Sequence, residues 1–174
     1  DPTEQFAELI QKHPELRVKL AALEAEIASK APAAGKARIA RLGLRQSLDI
    51  VPASPTELAT QKTLRTLAIK QLVIQGDKET DSAKMLIDLI GRDKFNDTTF
   101  DDTILAYTTL GYNASAPAAA FLNSRLEYYN LNQRSGKNTP RDKMLVRELI
   151  AAMKRAKNPD SKAILFKSQN DDEY

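Results

Sequence analysis

Apolar residues along this chain recur mostly three and four positions apart. The runs are separated by prolines, glycines and short polar residues of the kind that start and stop helices. The stretch Ser54 to Gly76 states both ends most fully: Ser54 can cap a first turn, Pro55 suits the first helical position, and Glu57 completes a capping box. Gly76 supplies the left-handed residue that ends it. Between them Leu58, Leu64, Leu67, Ile69, Leu72, Val73 and Ile74 fall on more than one face. That pattern predicts a helix with neighbours on several sides, the central rod of an all-helical domain.

Similar signals recur from end to end. Asp1-Pro2-Thr3-Glu4 opens a helix with Glu4 closing its box, and Pro14 interrupts it after His13. From Pro14 to about Lys30, Leu16, Leu20, Leu23 and Ile27 form one narrow apolar seam. Ala31-Pro32-Ala33-Ala34-Gly35 reads as a small-residue linker and a candidate boundary. Lys36 to about Asp49 alternates basic with apolar residues as a short amphipathic helix. Met85, Leu86, Leu89 and Ile90 mark another helix, stopped at Gly91, and a loop follows over Arg92–Thr98. Thr98 with Asp101 suggests a cap for a helix holding Phe100, Tyr107 and Leu110, ended by Gly111. Ser115 and Pro117 open the next, with Phe121, Leu122, Leu126 and Tyr129. A polar loop from Asn130 to Asn138 leads to the start signal at Thr139-Pro140, and that helix reaches Lys157. A small apolar knot, Ile164, Leu165 and Phe166, precedes an acidic tail.

The expected fold is therefore all-α: an orthogonal or antiparallel bundle of about seven or eight helices around a central one, with no sheet. The organisation read from it is a helical arm over 1–30, a core domain over 36–157 and a tail over 158–174.

Composition supports helices. Aromatic residues make up 6% of 174 with no Trp, so the core rests on Leu, Ile and Ala rather than on strand-forming rings. The absence of cysteine excludes disulfides, thiolate metal sites and cysteine nucleophiles, and fits a reducing, intracellular setting. No apolar run approaches the roughly 20 residues of a spanning helix, so a soluble chain without membrane contact is expected. His13 is the single histidine, which disfavours a zinc site or a serine-histidine relay and suits a helix-end or surface role. The acidic stretch Asp77–Asp102, −4 net, misses the ligand spacing of a calcium loop, because Phe95 and Ile104 occupy positions that need carboxylates. No cofactor, metal site or catalytic group is expected, and the chain reads as non-enzymatic.

Charge is distributed unevenly. The net charge is only +3, yet 30–49 carries +4 and 125–157 carries +6. Two surfaces follow as candidates. Basic residues Arg38, Arg41, Arg45, Arg125, Arg134, Lys137, Arg141, Lys143, Arg147, Lys154 and Arg155, with Tyr128 among them, could meet an acidic partner or nucleic acid. The seam Leu16, Leu20, Leu23, Ile27 and the knot Ile164, Leu165, Phe166 could meet a protein partner. The resulting expectation is a helical protein-protein interaction module, part of a larger protein or assembly. The alternative is RNA or DNA binding through 30–45 and 125–157.

Overall fold

The protein, as a computed structural model describing residues 1–92 and 100–169, is all-helical, with no strand among the described residues. Its contacts divide it into two compact units, residues 1–77 and 78–174.

Unit 1 holds α1 (Pro2–Lys12), α2 (Leu16–Ala28), α3 (Ala33–Asp49) and α4 (Pro55–Ile74). Helix α1 packs on α2 and α3, and α4 packs on α2 and α3. The core between them holds Ile10, Leu23, Ile39, Leu44, Leu64 and Ile69, all without solvent exposure. Helix α3 begins at Ala33, so three residues of the small-residue linker form its first turn. The signalled caps form with two changes. Ser54 accepts from the Glu57 N–H, but the Glu57 carboxylate reaches back to the N–H of Ala53 rather than of the cap itself. Asp1 caps α1 through the Thr3 N–H, while Glu4 turns away to Arg38 of α3.

Helix α4 departs most from expectation. It buries Gln61, Leu64, Ala68, Ile69, Gln71 and Leu72, an i, i+3, i+4, i+7 face, and leaves Leu58 and Ile74 55% and 67% exposed. Leu67 is only half-buried. Leu58, Leu67 and Ile74, which widened the apolar pattern beyond one face, lie outside the buried face formed by Leu64, Ile69 and Leu72. The buried amide of Gln61 belongs there for a polar reason: its Nε2 donates to the carbonyls of Ser47 (2.8 Å) and Ile50 (2.7 Å) at the end of α3. Those carbonyls lack intrahelical partners, so the side chain supplies what the helix end cannot.

Unit 2 holds α5 (Thr80–Arg92), α6 (Phe100–Asn113), α7 (Ala116–Arg134), α8 (Pro140–Ala156), a single 3₁₀ turn (Pro159–Ser161) and α9 (Lys162–Gln169). Helix α6 packs most extensively on α8, and α7 packs on α5, α6, α8 and α9. Gly91 and Gly111 do not stop their helices. Helix α5 runs one residue past Gly91, and α6 continues to Asn113 and turns at Ala114, which takes the left-handed conformation with φ 55°. Gly111 serves packing instead. A Cβ there would stand 2.7 Å from the backbone of Ala152, so the missing side chain is what lets α6 and α8 approach. The loop expected over Arg92–Thr98 and the Thr98 cap lie, apart from Arg92, outside the described residues. Helix α7 extends four residues beyond the expected loop start at Asn130.

Two turns share one geometry. After α4 the N–H of Gly76 bonds to the Val73 carbonyl and that of Asp77 to Leu72; after α7 Gly136 bonds to Gln133 and Lys137 to Asn132. Both glycines have φ 68°. This is the paired-bond ending that a left-handed residue makes possible.

Candidate functional site

The basic residues singled out by sequence fall into two groups with different surroundings. In unit 1 they face protein. Arg38 pairs with Glu4 at 2.6 Å, and Arg45 lies 3.9 Å from Asp49 one turn on. Arg41 reaches Asp77 at 2.5 Å, where the carboxylate side chain is only 2% exposed. Two cations that charge counting did not single out behave alike. Lys19 is buried and donates to the Ile10 carbonyl at the end of α1, and Arg65 donates to the Ser47 carbonyl at the end of α3. Burial pushes the Lys19 pKa below its ordinary 10.5, and its place at a helix C-terminus is what a positive charge favours.

In unit 2 three of the guanidinium groups lie over rings. Arg125 lies 5.3 Å from the centroid of Phe121, Arg141 4.9 Å from Phe100, and Arg155 4.2 Å from Tyr112. A ring supports the flat face of a guanidinium and leaves its N–H edge for another acceptor. Among the described residues, Arg134, Lys137, Arg147 and Lys154 are exposed and make no ion pair. Lys143 is half-buried on the first turns of α8.

Of these side chains, Lys137 and Arg141 line a cleft at the turn between α7 and α8. It has a volume of about 700 Å³ and is lined among others by Tyr128, Tyr129, Asn132, Lys137, Thr139 and Arg141. Tyr128 is 52% exposed, with its ring edge-on to Tyr129 at 5.3 Å. Tyr129 is buried beside it, and that burial raises its hydroxyl pKa above the usual 10.0. The acidic residue at the rim is committed: Asp142 accepts from the Thr139 N–H at 2.8 Å, while its own N–H donates to the Thr139 hydroxyl. A second cavity of about 330 Å³ adjoins the same two tyrosines and includes Tyr107, Arg125 and Leu145.

The apolar candidates divide as well. Leu16 and Leu23 are buried within unit 1, and Leu20 and Ile27 are half-buried. Ile164 and Leu165 are half-buried on α9, whereas Phe166 is 65% exposed. Leu131 and Met144, 62% and 54% exposed on α7 and α8, were not singled out by sequence. Phe121 and Arg125 stand four residues apart on one helix, a spacing that could have signalled their contact. Phe100 with Arg141 has no such local signal. His13 ends α1, and its Nδ1 accepts the N–H of Glu15 at 3.1 Å.

Among the described residues no cluster of three or more histidine, aspartate or glutamate side chains could hold a metal ion, and no helix is long and apolar enough to cross a membrane. Compared with known proteins, the chain matches no family model, no curated protein and no solved structure.

Proposed function

We propose that the chain is a non-enzymatic interaction module that docks a protein partner, gripping an acidic segment of that partner with the α7–α8 surface of unit 2. The observation that carries this reading is the cleft at the α7–α8 turn, where half-exposed Tyr128 stands beside Lys137 and the stacked Arg141. Exposed Leu131 and Met144 on the same two helices add apolar area that a partner could desolvate. In such a surface charge speeds and orients encounter, while rings and apolar side chains hold the complex.

Nucleic acid is the second reading, favoured by one feature: an exposed tyrosine ring among cations can stack a base. Two features weigh against it. Arg41, from the second basic segment that this reading needs, is held by the buried carboxylate of Asp77. Nucleic-acid surfaces are also more uniformly positive than one that exposes Leu131 and Met144.

Fluorescence anisotropy with a glutamate-rich peptide and with single- and double-stranded oligonucleotides, at about 50 and 200 mM salt, separates the two. The expected result is peptide binding that Lys137→Glu with Arg147→Glu removes. Steeply salt-dependent oligonucleotide binding without peptide binding overturns the reading in favour of the alternative.

A further inference from the structure

The two cavities of unit 2 share a wall made by Tyr128 and Tyr129. The smaller has one cation in its lining, Arg125, and the larger has two, Lys137 and Arg141. Arg125 lies in the smaller cavity, half-buried, with its flat face supported by Phe121. Lys137 lies in the larger, and its backbone is held by the bond from its N–H to the Asn132 carbonyl at 2.8 Å. Among the described residues neither makes an ion pair with a carboxylate. Tyr128 belongs to the lining of both cavities, half exposed and with its ring edge-on to Tyr129. The Tyr128 ring is thus shared by a cavity that holds Arg125 and a cavity that holds Lys137. Asp142, the carboxylate of the larger cavity, is occupied by the cap of α8.

We propose that this twin cavity reads an acidic peptide in which a large aromatic side chain is flanked by carboxylates. The aromatic side chain rests on Tyr128, one carboxylate meets Arg125 in the smaller cavity, and another meets Lys137 in the larger. The inference rests on the docking role above and adds the side-chain chemistry the partner segment must carry. Arg125, already oriented by a ring, gives up little side-chain freedom on binding, which favours it as the anchoring cation.

Calorimetric titration of the full chain with three synthetic octapeptides tests it. One is glutamate-rich with a central Phe, one has Ser in place of that Phe, and one has Gln in place of every Glu. The Phe peptide should bind about tenfold more tightly than the Ser peptide, the size expected of one added ring contact. The Gln peptide should not bind. Tyr128→Ala should erase the preference for Phe and leave the Ser peptide unaffected, whereas Tyr128→Phe should keep the preference. Arg125→Gln and Lys137→Gln should each weaken both acidic peptides several-fold, with unchanged helical circular dichroism. Equal binding of the Phe and Ser peptides, or a preference that survives Tyr128→Ala, overturns this inference while the docking role stands. Failure of every acidic peptide to bind overturns both.

Discussion

The turns that end α4 and α7 have the same backbone bonds and the same glycine conformation, yet the residues after the two glycines meet different environments. Asp77 in unit 1 turns inward to Arg41 and is buried; Lys137 in unit 2 faces water at the edge of a cleft. A related difference separates several other cations, although Arg92 and Lys78 of unit 2 also bond to Asp88 and to the Tyr112 carbonyl. Lys19, Arg38, Arg41 and Arg65 of unit 1 bond to carboxylates or to carbonyls at helix ends, whereas Arg125, Arg141 and Arg155 of unit 2 lie on rings. A cation bonded into the interior becomes part of the fold. A ring contact, by contrast, engages the flat face of a guanidinium rather than its N–H edge. Equal charge therefore marks structure in one unit and a candidate surface in the other.

The contrast yields tests of graded size. Leu64→Ala should destabilise the protein by about 2–5 kcal/mol, because Leu64 is fully buried against the unit 1 core, while Leu67→Ala on the outer side of the same helix should cost under about 1 kcal/mol. Equal losses in urea melts would restore α4 to a surrounded position. Arg41→Ala should cost about 3 kcal/mol, near the lower end for breaking a buried pair since Arg41 is itself partly exposed, and Arg147→Ala should stay within about 0.5 kcal/mol. Comparable losses would erase the distinction between the two sets of cations. Gly111→Ala should cost about 1–3 kcal/mol despite the better helix propensity of alanine, since the added methyl meets the backbone of Ala152. An unchanged melting midpoint would show that α6 and α8 can separate at little cost.

The smallest effects are those of pH, and they have opposite signs in the two units. The pKa of Lys19 is depressed by burial. Its contribution to stability is present above 10.5 and is lost as pH falls through the depressed value. The pKa of Tyr129 is raised, chiefly by burial. Its contribution is present below 10.0 and is lost as pH rises through the raised value. As pH rises toward 10.5 the wild type should gain stability relative to Lys19→Met, and above pH 10 it should lose stability relative to Tyr129→Phe. Denaturant midpoints of the three proteins across that range measure both trends. Parallel curves would mean that neither burial matters to folding.

Helix content was legible in the residues because its signals are local. A cap such as Thr139 with Asp142, or the glycine after α4 or α7, acts within one turn, and the spacing of apolar residues reports a face without reference to any partner. The cleft was half legible: Tyr128, Lys137, Arg141 and Arg125 stood out by type, whereas Asn132, Thr139, Phe100 and Phe121 did not. What the sequence by itself determined is thus the set of helices, most of their ends and the unequal distribution of charge. Tertiary structure alone decided which side of α4 is covered, that Gly111 serves packing rather than a helix end, and which cations bond inward. The reason is range. Arg41 and Asp77 stand 36 residues apart, and Thr108 and Glu148, whose side chains bond across α6 and α8, stand 40 apart. No periodicity within one helix can encode a contact that exists only once two helices have packed.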